Sequence, residues 1–388
     1  MATTGMITSY SDTGAHKRVV TDYIEIGDPR DTPLLRYLGL NNQKKFRFVN
    51  WPGGIGKIEW LEDSMPPTSD QLAEALDSSE TGVDVDNAGR FHVGDVIQVA
   101  GSDEQMWVSA ITAPTLTVTR GYGGTTATTH ADNAIVHIRS NARLEGAVST
   151  DGYRTDISAP FNYFQIMHEE IKVSGSAEKM NQYGISSEYE YQLMKIMGGE
   201  GGGDGKMGNA GKLTIQLEKT AFYGKRLPGS ATTPRAMGGL DHYITSNVTA
   251  MASAELTQRK FENSMQAAWE FGGKPGLAVV NAYAKRKIDS WYTGQIRTER
   301  RENVGGMTID TIHTNFGDVD MLMDRWCPVD KMYILDTGKV GWCTLRPFTE
   351  EKLAKDGDYT RGQVIGEYTF VVCEESHHAI ISGFSTTL

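Results

Sequence analysis

Cysteine, net positive charge and long apolar runs are all scarce in this chain. Cys327, Cys343 and Cys373 are the three cysteines among 388 residues. They are too few and too scattered for a disulfide framework, so a reducing site of synthesis is expected. No apolar segment approaches the roughly 20 residues that a membrane-spanning helix needs, and no membrane partner is expected. Residues 1–14, rich in Thr, Ser and Gly, lack the apolar stretch of a secretory signal. A formal net charge of −11 argues against a protein whose task is gripping nucleic acid, because phosphate contacts demand a basic surface. Basic clusters occur at Lys44-Lys45-Phe46-Arg47, Lys285-Arg286-Lys287 and Arg297–Arg301. The last is interleaved with Glu299 and Glu302, which favours a salt-bridged, solvated or interface face over a nucleic-acid site.

Chemistry is scarce as well. A phosphate-loop match ending at Gly205-Lys206 needs glycine where Glu200 stands, and Met207 replaces the Ser or Thr that would hold magnesium. Gly121-Tyr122-Gly123-Gly124 follows a strand, but Thr125–Thr129 offers no helix start for a dinucleotide site. The run Asp84-Val85-Asp86-Asn87-Ala88-Gly89, with Asp95 beyond it, has the look of a calcium loop. Ala88 removes one ligand, however, and no helices flank the run. His377-His378 would face opposite ways on a strand and are expected to form a turn. The cysteines lie in no local nucleophile motif with a histidine partner. Catalysis, cofactor and metal are therefore all left out of the expected function.

What is present is patterned backbone. The runs Phe91–Val99, Gln105–Ile111, Thr115–Arg120 and Ala134–Ile138 are rich in Val, Ile, Thr and aromatic residues. Turns at Gly101-Ser102-Asp103, Ala113-Pro114 and Gly121–Gly124 separate them, which is hairpin punctuation. A small β module over residues 90–138 is expected, inserted in a projecting loop. Residues 46–89 and 139–165 flank it as polar legs, with Trp51 and Trp60 on the outgoing one. Residues 1–45 have no core of their own apart from Val19, Val20, Tyr23, Ile24 and the cluster Thr32-Pro33-Leu34-Leu35. Such an arm must find its apolar partners elsewhere.

Ser187 and Glu190 form a capping box before Tyr189, Leu193, Ile196 and Met197, so a helix starts there. A second helix is predicted over Lys212–Tyr223, striped by Leu213, Leu217 and Ala221 and stopped by Gly224. Between them lies the tract Gly198–Gly211, centred on Gly203. No helix tolerates that glycine density at about 1 kcal/mol per residue. Beyond Met237 the pattern turns compact: helices marked by Phe261, Met265 and Trp269 and by Ala284, Ile288 and Trp291, and strands at Leu277–Val280, Met307–Ile312, Val319–Met323, Met332–Leu335, Glu367–Cys373 and Ala379–Phe384.

An unanchored arm, a two-legged loop, a lone helical spine and a compact lobe suit a subunit that drapes extensions over its neighbours. Residue by residue, the chain resembles the major capsid proteins of tailed bacteriophages with the Hong Kong 97-like fold, and most closely the SU-ten-like major head protein family. The resemblance runs through Asp31–Leu35 in the arm, then Glu59–Asp63 and Leu144-Glu145-Gly146 in the loop. It continues at Asn162–Ile166 and Val173–Ser176 before the spine. In the lobe it covers Phe316-Gly317-Asp318, Leu335-Asp336, Leu345-Arg346-Pro347, Gly357-Asp358 and Glu367-Tyr368-Thr369. The glycine tract departs from the family's continuous spine.

The resemblance implies an α+β chain divided into an N-arm (1–45), an extended E-loop (46–165) carrying the inserted module (90–138), a P domain with the spine (166–236), an A domain (237–375) and a returning C-terminal strand (376–388). It implies homo-hexamers and homo-pentamers of an icosahedral virion shell, assembled in a bacterial host's cytoplasm. Packaged double-stranded DNA, held without sequence-specific binding, and a portal protein are the implied partners, with a decoration or cement protein as a further one. Because the sequence begins at Met1, scaffolding is expected from a separate protein. Pro33, Leu34, Leu35, Trp51 and Trp60 are the expected subunit contacts, and Gly198, Gly203 and Gly211 the loop in the spine. Trp107 and Tyr122 belong to the module surface, where a core or interface place is favoured over carbohydrate binding. A cellular nanocompartment shell and an α/β enzyme remain the alternatives.

Overall fold

The computed structural model describes residues 31–41, 49–50, 56–147, 155–180, 185–198, 210–291, 298–304 and 307–386. Trp51 and Gly203 lie outside the described residues. The chain divides into two compact units, one of residues 61–159 and one of the remainder.

In the larger unit the helices are α1 (Pro33–Asn41), the short α2 (Gly175–Lys179), α3 (Glu188–Met197), α4 (Lys212–Tyr223), the single turn α5 (Leu240–Tyr243), α6 (Gln258–Glu270) and α7 (Ala282–Trp291). A seven-stranded sheet has Leu277–Val280 at its centre, parallel to Gly317–Met323 on one side and antiparallel to Lys331–Leu335 on the other. All four residues of the central strand are buried. Alternate side chains serve opposite faces: Leu277 and Val279 join one core with Leu213, Leu217 and Phe222 of α4, while Ala278 and Val280 join another with Phe261 and Met265 of α6 and Ile288 of α7. Helices thus cover both faces.

A second sheet orders Val49–Asn50, Val340–Lys352, Tyr359–Val372 and Gln165–Ser174. Its long antiparallel ribbon sends Met167, Ile171, Val173, Val364 and Phe370 into the α4 core. Asn162, fully buried, donates to the carbonyls of Gly238 (3.0 Å) and Phe370 (2.6 Å) and accepts from the Gly238 N–H (2.8 Å). One side chain therefore ties three distant segments together.

The unit of residues 61–159 holds a six-stranded antiparallel sheet in the order Ser69–Gln71, Ile135–Asn141, Asp95–Val99, Gln105–Thr112, Thr115–Thr119, Gly82–Asp84. Its two outer strands meet through a Leu72–Val85 bridge and the bonds Ala73 N–H to Asp84 O (2.9 Å) and Asp86 N–H to Gln71 O (3.1 Å). The sheet closes on itself, which removes the free edges that invite unwanted pairing. The expected boundaries of 90 and 138 are thus too narrow. The strands Ser69–Gln71 and Gly82–Asp84 precede Arg90, and at three polar-flanked residues each they are too short to show an alternating pattern. Leu72, Val83, Ile97, Met106, Leu116 and Val136 fill the interior.

The barrel is riveted by one ion pair. Arg120 donates to both carboxylate oxygens of Glu104 (2.6 and 2.9 Å) and to the carbonyls of Asp77 (2.6 Å), Glu80 (2.8 Å) and Thr128 (2.7 Å). Glu104 also accepts from the Thr128 N–H (2.9 Å) and pairs with His130 Nε2 (3.0 Å). Burial alone would push the Glu104 carboxyl up. Arg120, Thr128 and His130 outweigh it and pull the group down to about 2. Arg120→Ala strands a buried carboxylate and should destabilise this unit by about 3–5 kcal/mol, read by urea unfolding with hydrogen exchange at Met106 and Val118. In the wild type, a carboxyl lowered by folding contributes fully above its ordinary value of 4.5. Protection of the same strands should therefore weaken as pH falls from 4.5 through about 2.

Candidate assembly surfaces

The apolar cluster of the arm is a helix docked on its own chain. Pro33 opens α1 at the position where a missing N–H costs nothing. Leu34, Tyr37 and Leu38, at i, i+3 and i+4, are buried in the core that holds Leu213, Leu217 and Trp342, with Leu35 packed at its margin. Tyr37 donates to Asp320 Oδ2 (2.8 Å), and Trp326 Nε1 donates to the carbonyl of Asp31 (2.8 Å). Pro33 and Leu34, expected to anchor on an adjacent subunit, are buried within their own chain, and Leu35 is partly buried beside them. Trp60 is likewise half-buried in its own unit, 5.9 Å from the Tyr243 ring and against a cluster of Ile58, Phe164 and Val371.

The glycine tract leaves and returns at one place. Gly198 caps α3 with a positive φ of 100°, donating to the Met194 carbonyl, and pairs with Ala210 in an isolated antiparallel bridge. A Cβ on Gly211 would lie 2.3 Å from Gly198 N and from Ile196 O, so the return path is open to glycine alone. Trp107 and Tyr122 stack on the outward side of the barrel, with centroids 6.4 Å apart and planes 22° apart. Trp107 Nε1 is committed to the Ala142 carbonyl (2.8 Å), so the pair pins the turn at Tyr122 to the strand's exit.

Residues missed by sequence reasoning as contacts stand on the two legs of the barrel. Leu61 is 76% exposed, Met65 85%, Leu144 73% and Ile157 63%. A Glu62–Ser158 bridge holds the legs side by side. Large apolar side chains this exposed on the segments flanking the barrel are candidates for cover by a neighbouring copy. Leu61 follows Trp60, Met65 precedes two prolines, and Leu144 and Ile157 stand singly among polar residues, so no periodicity marks them.

The remaining reactive types are inert or structural. Burial pushes the Cys343 thiol up to about 11 and the Cys327 thiol well above its usual range. His378 is buried, held neutral by a shift down to about 4. It accepts from the Asp336 N–H (3.1 Å) and donates through Nε2 to the Cys373 carbonyl (3.2 Å), pinning the turn. Asp95 of the calcium-like run accepts from the His92 N–H and from Asn141. Among the described residues no group of three or more His, Cys, Asp or Glu could hold a metal, and no helix is long and apolar enough to cross a membrane.

The family model of the SU10 major capsid protein matches residues 3–385. The cyanophage A-1(L) capsid asymmetric unit is similar in structure at a TM-score of 0.58 and 9% identity, covering 98% of this chain and 100% of that one. The Mycobacterium phage Bobi structure gives 0.50 at 9% identity, over 97% and 98%. An encapsulin complex from Synechococcus elongatus PCC 7942 gives 0.44 at 11%, over 60% of this chain and 79% of that one. No curated protein matches.

Leu34→Ala should cost about 2–5 kcal/mol in unfolding of the isolated subunit, the signature of a core residue. An effect confined to shell formation would contradict this placement. Under native conditions a thiol reagent should modify Cys373, which is partly exposed, well before the buried Cys327 and Cys343.

Proposed function

Because this chain belongs to the SU10 major capsid protein family, we propose that it closes an icosahedral phage head as homo-hexamers and homo-pentamers, its leg residues laid over neighbouring copies. That it is a capsid subunit of a virion, with the α+β Hong Kong 97-like fold, follows from the family and from the full-length likeness to a phage capsid. The observation that carries the finer reading is the strap of Leu61, Met65, Leu144 and Ile157. Covering each is worth about 1.5–3 kcal/mol, and a closed shell repeats that gain at every copy. Its role is structural, and no catalytic step is assigned.

The interior is proposed to hold double-stranded DNA. A net charge of −11 favours a wall that releases its genome, since a basic wall would retain it through many phosphate contacts. A portal protein at one vertex, a separate scaffolding protein and assembly in the bacterial cytoplasm complete this reading. The E-loop is proposed to carry the barrel on the outside of the head, where it braces a neighbour or receives a decoration protein. Closure of the barrel, which leaves its edges unavailable for strand addition, supports contact through side chains, with Trp107 and Tyr122 on the outward side.

Met65→Asp together with Leu144→Asp should leave a folded subunit that forms no shells by electron microscopy; normal shells would defeat the strap. Replacing residues 69–141 by a short Gly/Ser turn should give shells that form but rupture at lower temperature. Cutting only 90–138 leaves Ser69–Gln71 and Gly82–Asp84 without their partner strands, and that chain should aggregate.

A further inference from the structure

The chain crosses twice between the two sheets of the larger unit, and one imidazole bonds to both crossings. The first runs from Lys331–Leu335 of the seven-stranded sheet to Val340–Lys352 of the second, through the turn Asp336–Lys339. The other returns from Tyr359–Val372 to Ala379–Ser382, through residues 373–378. His378 is fully buried. Its Nδ1 accepts the Asp336 N–H of the first crossing (3.1 Å), and its Nε2 meets the Cys373 carbonyl of the second (3.2 Å). Since Nδ1 is an acceptor, the ring proton sits on Nε2, and the neutral ring makes both contacts. Two backbone bonds tie the same segments: Lys339 N–H to Asp336 O (3.1 Å) and Cys373 N–H to Lys339 O (2.8 Å).

We infer that His378 is an acid-opened clasp between the two sheets: it holds the crossings together while its ring is neutral and lets go when Nδ1 takes a proton. A proton on Nδ1 would set one N–H against another, so the contact with Asp336 turns repulsive and a buried donor loses its acceptor. The charged and titratable groups around the ring are Asp336 and Lys339 of the first crossing, Glu374, Glu375 and His377 of the second, and Lys274 after α6. The two carboxylates that act on the ring already have donors of their own. Asp336 accepts from the N–H groups of Gly338 (2.9 Å) and Lys274 (3.1 Å), and Glu375 from those of Thr245 (2.8 Å) and Ser246 (3.2 Å). Burial pushes the His378 ring down, and the Cys373 carbonyl, Asp336 and Glu375 recover only part of that, leaving it at about 4.

The sign follows from linkage. An opened ring, wetted by solvent, takes its proton near the ordinary value of 6.5, whereas the closed ring does not until about 4. Above 6.5 neither form binds the proton and the clasp has its full strength. As pH falls below 6.5 the closing constant should drop about tenfold per unit, levelling off near 4, where the closed form is protonated too. Glu375 lies in the same turn. Burial would raise its carboxyl, but Ser246 and Thr245 outweigh burial and hold it low, so its own contribution is lost only below the ordinary 4.5. The interval from 6.5 to 4.5 therefore separates the histidine from this acid. The clasp is a property of the single chain, and mild acid should loosen it with or without a shell.

The test uses the full chain as unassembled subunits. Amide exchange at Asp336 and Cys373, corrected for intrinsic pH dependence and referenced to Val279 of the central strand, should lose protection in the wild type as pH is lowered from 6.5 to 4.5. His378→Asn keeps an acceptor for the Asp336 N–H and cannot titrate, so its protection, at whatever level, should be flat over that interval. Imidazole nitrogen shifts of the wild type give a second measurement that needs no variant: at neutral pH His378 should be the neutral ring with its proton on Nε2. Flat protection in the wild type, an equal slope in His378→Asn, or a proton on Nδ1 at neutral pH would overturn the clasp.

Discussion

The lobe depends on a strand with no wet side. Leu277–Val280 is buried on both faces, so a helical layer must cover each face before the strand can form. α6 and α7 supply one cover. α4 supplies the other, and α1 completes it. That requirement explains why a helix only nine residues long, near the start of the chain, is seated among residues from its far end. Isolated helices of that length are marginal in water, and α1 exists because Leu34, Tyr37 and Leu38 have a core to enter.

The same reasoning separates what was legible in the sequence from what was not. Helix α4 and the Leu277–Val280 strand were read to the residue, since a stripe at helical spacing with a stop glycine, or an unbroken apolar run between turns, is local information. Ser187 was read as the α3 cap for the same reason, and its hydroxyl accepts the Glu190 N–H. The strand Val340–Lys352 was missed. It is buried as far as Thr344 and mostly exposed afterwards, contains Pro347 and slips register twice, so no single period runs through it. Pro33–Leu35 was read as an outgoing arm because its partner on α4 lies about 180 positions away, a distance that composition and spacing do not register.

An aromatic residue misled in a related way. Trp60 stands out on a polar leg and reads as a subunit contact, yet it meets Tyr243 within its own unit. Trp107 reads as part of the module surface, and it stacks on Tyr122 on the outward side of the barrel. The exposed strap is made of plain aliphatic and thioether side chains, Leu61, Met65, Leu144 and Ile157, which carry no such flag. Which side chains of this loop lack cover depends on packing between distant segments, which local sequence does not carry.

The bridge between Gly198 and Ala210 makes the length of the intervening tract almost free to drift. Where two chain ends are clamped together, each doubling of the length between them adds only about 0.6 kcal/mol of closure entropy. A substitution at Gly211, where a Cβ would lie 2.3 Å from Gly198 N, should therefore cost more than a change in the length between the two ends. The same clamp makes the Gly198–Ala210 junction a natural place to graft a peptide epitope.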